Sequence, residues 1–355
     1  MNVNKITSTV RRIGPRAFRS ASATLLGLSM VVGTVGGAQA EGDIAAACEA
    51  AESKATPSDL AAKKLLLDVA KANGRMVAVG EFGHIVYSDD DGNTWTQANC
   101  VATQVTLTSV DFPSKEVGYA VGHDAVILKT EDGGENWAQI YEDFDAETPL
   151  MNVFFNTPSY GLAMGAFGYV LETKDGGASW AQRPIVEGGE DDFHLNDSFR
   201  AKDGTLWVAA EFGTVYRSGD AGVTFERLQT PYEGSFWGGI GLSDGSVLIF
   251  GMRGNVFRTA DNGATWTKIE TGVTKSFGGS VELANGTVVL AGLNGAVAYS
   301  DDLGKSFTTI SRADREGYNA VIGASGDQIA IFGESGVKIM PNNAAAALAA
   351  GGSSS

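Results

Sequence analysis

The sequence predicts an all-β, seven-bladed β-propeller with four-stranded antiparallel blades spanning residues 65–340. Three observations carry that prediction. An eight-residue corner ending in an aromatic recurs six times at a spacing of 41–45 residues. A tight turn framed by small residues recurs seven times at the same spacing. The chain also holds 47 glycines against only 8 prolines in 355 residues, which suits a fold made of hairpins.

The corner pairs Asp90 with Trp95, Asp132 with Trp137, Asp175 with Trp180, Asp220 with Phe225, Asp261 with Trp266 and Asp302 with Phe307. Its cleanest copy runs Thr173-Lys174-Asp175-Gly176-Gly177-Ala178-Ser179-Trp180. The aspartate accepts hydrogen bonds from amides of its own turn, the glycine two residues on permits a positive φ, and the Ser/Thr offers a second local bond. The closing aromatic is expected to pack against the neighbouring sheet. One carboxylate per corner is too few for calcium, so no metal and no cofactor are expected.

The second signal is a two-residue turn between short apolar runs: Gly80-Glu81-Phe82-Gly83, Gly122-His123-Asp124-Ala125, Gly165-Ala166-Phe167-Gly168, Ala210-Glu211-Phe212-Gly213, Gly251-Met252-Arg253-Gly254, Gly292-Leu293-Asn294-Gly295 and Gly333-Glu334-Ser335-Gly336. Two β-prone runs so joined make a hairpin. Adding an inner run before it and an outer run after the aromatic gives four strands per repeat, the content of a propeller blade. The expected inner runs are 65–70, 107–112, 151–155, 193–199, 236–242, 277–283 and 318–324. The seventh repeat lacks an aspartate corner. Its missing outer strand is expected from the segment just before Leu65, within the N-terminal segment 41–64, which would close the ring. The Ala/Gly/Ser-rich tail 341–355 is expected to be flexible.

Residues 1–40 read as a secretory signal peptide. Lys5, Arg11, Arg12, Arg16 and Arg19 precede an apolar stretch near 21–35, and Ala38-Gln39-Ala40 supplies small residues for cleavage near Ala40. The apolar stretch is shorter than the roughly 20 residues a membrane span needs, so export to the periplasm or beyond is expected, without direct membrane insertion. Ala45-Ala46-Ala47-Cys48 resembles a lipid-attachment box, but Glu41 and Asp43 separate it from the apolar run. Removing the leader leaves 21 basic against 42 acidic side chains, a balance that repels nucleic acid. Cys48 and Cys100 are the only cysteines. In an oxidising compartment they form a candidate disulfide, with two free thiols as the alternative.

The paired glycine turn and corner, seen most clearly over 165–180, resemble the Asp-box (BNR) repeat class, and within it the photosystem II stability and assembly factor-like family. The resemblance covers roughly residues 65–340. It implies a seven-bladed propeller outside the cytoplasm. It also implies a scaffold partnered with a membrane-protein complex: in phototrophs a photosystem II assembly intermediate, elsewhere an envelope transporter served by an accessory subunit. Phototroph members carry a basic patch for their partner. This chain departs there, being acidic with no obvious arginine cluster.

Asp-box propellers also include sialidases, so a glycoside hydrolase or carbohydrate-binding propeller is the competing reading. A sialidase needs three arginines, a tyrosine nucleophile and acidic partners projecting into the centre. None of the seven inner runs holds an arginine; Arg200 sits just past one of them. Asp68, Asp111, Asp197 and Glu282 lie on inner runs as isolated carboxylates. His84, His123 and His194 show no metal-ligand spacing. No serine stands in a nucleophile-elbow context. The chain therefore reads as a non-enzyme.

The glycine turns and the connections between blades share one face, and the aspartate corners occupy the other. Candidate partner-binding residues on the turn face are Glu81, Phe82, Phe167, Glu211, Phe212 and Arg253 at turn tips, with Asp191, Asp192, Tyr232 and Trp237 in the connections. Aromatics beside carboxylates suit a basic or mixed partner. The alternative is that the phenylalanines fold back between blades while the acidic loops confer solubility.

Overall fold

A computed structural model of the chain describes residues 41–189 and 192–354. The expected leader, 1–40, and Asp191 lie outside the described residues. The remainder is a seven-bladed propeller. Its inner strands are Leu66–Ala72, Leu107–Asp111, Leu150–Phe155, Leu195–Arg200, Phe236–Gly241, Phe277–Glu282 and Tyr318–Gly323, one per blade and numbered here as blades 1–7.

Each second strand carries a continuous buried run of at least five residues, such as Leu206–Ala210 or Val247–Gly251; in blades 1 and 7 the run follows half-buried Arg75 and exposed Gln328. Strict alternation is absent because both faces of each sheet are covered by neighbouring blades. Blades 1, 3, 4 and 5 have four strands in sequential order. All seven inner strands share one irregularity: the register slips by one residue just after the strand begins, as between Leu66 and Asp68 or between Leu195 and Asp197.

The six corners close on themselves. In each, the Ser/Thr hydroxyl donates to the aspartate at 2.7–2.9 Å. The amide four residues after each aspartate donates to it at 2.8–3.0 Å. Of the closing aromatics, Trp137 and Phe225 are buried and the other four half-buried. Trp95 stands edge-on to Phe332 of blade 7, ring centroids 5.4 Å apart, and so helps join the two ends of the ring. There Leu66, Ala78 and Val86 share one apolar cluster with Ala320, Ala330 and Phe332.

Two expectations for the termini fail. Blade 7 keeps three strands, and the segment before Leu65 does not supply a fourth. Residues Ala61–Lys63 instead form a 3-10 turn. It abuts the strand so closely that a Cβ on Gly336, itself at φ +76°, would lie 2.0 Å from the Ala62 carbonyl oxygen. The tail, expected to be flexible, folds back. Asn343 caps helix α2 (Ala344–Ala349), its side-chain oxygen accepting the Ala346 N–H at 2.9 Å. Ala347 is buried beside residues of blades 6 and 7, and Ser353–Ser354 adds a fifth strand to blade 6. The tail's small residues allow this close approach.

At the other terminus, helix α1 (Glu41–Ala50) carries Cys48, which is disulfide-bonded to Cys100 with their Cα atoms 6.1 Å apart. Cys100–Val101 in turn pairs in parallel with the outer strand Asn136–Tyr141 of blade 2. The segment before the propeller is thus fastened to that blade's edge.

Candidate functional site

The turn face is built from an unusual backbone. In six blades the second residue of the turn adopts left-handed φ: Phe82 at 57°, Asp124 at 57°, Phe167 at 55°, Phe212 at 53°, Arg253 at 58° and Asn294 at 54°. In five of them, all but blade 4, the turn is a single 3-10 turn. For a residue with a Cβ this conformation costs about 1–2 kcal/mol. Asparagine and aspartate tolerate it, but phenylalanine does not favour it. The chain cannot relax, because the flanking glycine backbones are in tight contact with neighbouring carbonyls; a Cβ on Gly213 would meet the Tyr232 carbonyl oxygen at 1.6 Å.

The conformation points the rings outward. Phe82, Phe167 and Phe212 are 56, 63 and 60 % exposed, so they do not fold back between blades. Phe144, 61 % exposed, joins them from the connection between blades 2 and 3.

Blades 2–4 tie these rings into one surface. The Asp143 amide donates to the Asp124 carbonyl, and the Asp143 carboxylate accepts the Tyr169 hydroxyl at 3.1 Å. His194 stands edge-on to Phe167, ring centroids 4.8 Å apart, and its Nδ1 accepts the Phe167 amide at 3.3 Å. The His194 amide donates to Glu211 at 3.0 Å, and Phe193 tilts against Phe212 at 5.5 Å. Asp192, just before Phe193, is exposed.

Other candidates fall elsewhere. Glu81 accepts the Leu65 amide at 3.3 Å and so braces the entry to blade 1. Tyr232 is half-buried, its ring between Phe236 and Phe257 and its hydroxyl on the Met252 carbonyl, which makes it a packing residue. Trp237 faces the propeller axis. Arg253 is exposed on blade 5, beyond the aromatic arc.

On the axis lies a cavity of about 350 Å³ that all seven blades line. Its rim is the residue displaced by each inner-strand irregularity: Leu67, Thr108, Met151, Asn196, Trp237, Gly278 and Asn319. Bulges re-aim side chains in this way. Deeper in, Asp68 accepts the Val110 amide, and Asp197 accepts Asn152 Nδ2 and the Gly239 amide. Both keep part of their surface open to the cavity. Burial, then the Asp68 charge, pushes the Asp197 carboxyl up to about 8. Burial also raises Asp68. Asp111, lifted by burial to about 6, accepts the Phe155 amide at 2.7 Å. Glu282 accepts the Ser243 amide. The cavity lining includes no arginine, tyrosine or histidine.

On the opposite face the corner aspartates behave as anchored anions. Hydrogen bonds from Thr94 and Ser88 hold Asp90 down to about 2. Burial pushes Asp302 up, but bonds from Ser306 and Ser300 outweigh it and bring it to about 2. Among the described residues no group of three or more His, Cys, Asp or Glu is placed to hold a metal ion, and no helix is long and apolar enough to cross a membrane.

No curated protein matches the chain. Among solved structures, YCF48 bound to D1 peptide is similar at TM-score 0.62 and 20% identity, over 79% of this chain and 94% of that one. YCF48 from Cyanidioschyzon merolae is similar at 0.62 and 15%, over 81% and 97%. The WD40 β-propeller domain of Doa1 follows at 0.60 and 15%, over 83% and 97%. At these identities the likeness speaks for the fold. The model of the family described as photosynthesis system II assembly factor YCF48 matches residues 47–144 and 141–284, and the chain belongs to that family.

Proposed function

We propose that the protein is an exported, non-catalytic scaffold that docks on a membrane-protein complex through its turn face. The complex is either a photosystem-type assembly intermediate or an envelope transporter. The carrying observation is the backbone of Phe82, Phe167 and Phe212: the fold bears left-handed strain at three phenylalanines and leaves their rings in water. Strain kept at exposed apolar side chains is a mark of recognition, since core packing gains nothing from it. Family membership and the YCF48 structure bound to a D1 peptide support the same reading. The leader pattern at 1–40 and the Cys48–Cys100 disulfide support an oxidising compartment.

The test is affinity capture with cross-linking from membranes of the native source. Wild type is expected to recover one membrane complex. Phe212→Ala combined with charge reversal at Asp191 and Asp192 is expected to lose it without a change in thermal stability. Equal recovery by both proteins would remove the turn face from the function.

The axial cavity keeps a carbohydrate reading in view, because two carboxylates and Trp237 meet there. A fluorogenic glycoside panel tests it, and turnover abolished by Asp197→Asn would favour an enzyme.

A further inference from the structure

The turn face is divided by charge. The described segments that build it on blades 2–4 are residues 122–125, 141–149, 165–168, 184–189, 192–194 and 210–213. Together they hold eight Asp or Glu and not one Lys or Arg. Asp124, Glu142, Asp145, Glu147, Glu187 and Asp192 are exposed there. The exposed rings of Phe144, Phe167 and Phe212 stand among them. Arg253 in the turn of blade 5 and Arg315 after the outer strand of blade 6 are exposed cations on the other side of the ring, while Arg227 of the blade 4 outer strand lies over the Phe193 ring, 4.8 Å from its centroid.

We propose, resting on the scaffold reading above, that the aromatic arc of blades 2–4 seats a cationic polypeptide segment. Its apolar side chains lie on Phe144, Phe167 and Phe212, and Lys or Arg residues between them meet the surrounding carboxylates. Two physical arguments fix this occupant. Apolar rings need an apolar counterpart, since burying them against polar groups gains little. The segments themselves supply no Lys or Arg; Arg227 over Phe193 offsets part of their charge, and the remaining excess of carboxylates attracts cations and repels an acidic segment or an anionic bilayer. A second copy of this chain would have to swing its own basic side, Arg253 and Arg315, onto the arc, and that side lacks a matching cluster of exposed phenylalanines.

The surface is pre-organised. His194 locks the Phe167 turn to the blade 4 entry, and Glu211 holds the His194 backbone. A partner therefore does not have to order these rings on binding.

The test uses the purified protein and three fluorescent 14-residue peptides, alternating Lys with Leu, Glu with Leu, or Lys with Ser, read by anisotropy. The Lys/Leu peptide is expected to bind, and to weaken at least tenfold between about 50 and 500 mM salt. The other two are expected to bind at least tenfold more weakly. Phe167→Gly with Phe212→Gly, and separately Asp145→Lys with Asp192→Lys, are each expected to cost at least tenfold. Asp301→Lys with Asp327→Lys, which makes the same net-charge change outside the arc, is expected to cost less than twofold. Glycine suits the left-handed positions, so the aromatic variant keeps its fold, and circular dichroism verifies that.

Binding of the Glu/Leu peptide as tight as the Lys/Leu peptide would overturn the proposal. So would an equal loss in the control variant, which would reveal a mere net-charge effect, or dimerisation in sedimentation that the phenylalanine variant abolishes. The scaffold reading fails separately. If the arc variants still capture a membrane complex while Arg253→Glu does not, the scaffold stands and the cationic segment falls.

Discussion

Trp266 of blade 5 stands edge-on against Trp207 of blade 4, with ring centroids 6.0 Å apart and planes at 88°. Trp207 is fully buried, and a Cβ on Gly263 would press on it at 2.9 Å. The corner of one blade thus caps the second strand of the preceding blade, as Trp95 does against Phe332 where the ring closes. Truncating Trp266 to Ala removes a half-buried ring and opens a gap against Trp207. We expect a loss of about 2–3 kcal/mol in urea unfolding, with Trp266→Phe costing less than half as much.

The corner aspartates set the acid limit of the fold. The carboxyl of Asp302 is held down to about 2 in the native state, below its ordinary value. The native state therefore binds the proton less tightly than the unfolded chain does. The contribution is present above about pH 4 and disappears as pH falls through about 2. All six corner aspartates are shifted downward. The urea midpoint is therefore expected to drop steeply between pH 4 and pH 2. Asp132→Ala, which strands the Glu135 and Asn136 amides and the Asn136 side chain, is expected to cost about 1–3 kcal/mol at pH 7.

These corners were legible in the sequence because all their bonds fall within five residues. The seven glycine turns were legible for the same reason, and with them the number of blades. The sequence placed Phe167 and Phe212 at turn tips but left open whether their rings fold back between blades, since a left-handed φ at a residue with a Cβ leaves no glycine to announce it. The axial ring left no trace. Leu67, Thr108, Met151, Asn196, Trp237, Gly278 and Asn319 share a bulge but no residue type. The tail misled for a related reason: Asn343 and Leu348 anchor a stretch whose composition otherwise reads as unstructured.

The Cys48–Cys100 bond closes a 52-residue loop that includes blade 1. Loop-closure entropy assigns such a crosslink about 2–4 kcal/mol. Cys48→Ser with Cys100→Ser is expected to lower stability within that range. It is also expected to speed amide exchange in α1 and Cys100–Val101 before any blade opens. Uniform loosening of all seven blades would contradict this local account.

At Phe212 the usual order of substitutions reverses. Its φ of 53° strains any residue that carries a Cβ. Phe212→Gly is therefore expected to be more stable than Phe212→Ala by about 1 kcal/mol, although glycine loses more entropy on folding. Thermal unfolding of the two variants decides it, and an alanine variant as stable as the glycine variant would mean that the turn relaxes.

Asp197 gives the opposite pH response to the corners. Its carboxyl, raised to about 8 by burial and by Asp68, holds its proton more tightly in the native state than in the unfolded chain. That contribution is complete below about pH 4 and is lost as pH climbs through about 8. Asp111, raised to about 6, adds to the same trend at lower pH. With the corners failing in acid and the axis failing in base, stability is expected to peak between about pH 4 and pH 6. Asp197→Asn keeps a carbonyl oxygen for the Gly239 amide and removes the charge beside Asp68. The variant is expected to exceed wild type by about 1–2 kcal/mol at pH 9 and to match it near pH 5. Urea denaturation at the two pH values measures this. A wild type whose stability does not fall between pH 5 and pH 9 would show that water in the axial cavity already solvates both carboxylates.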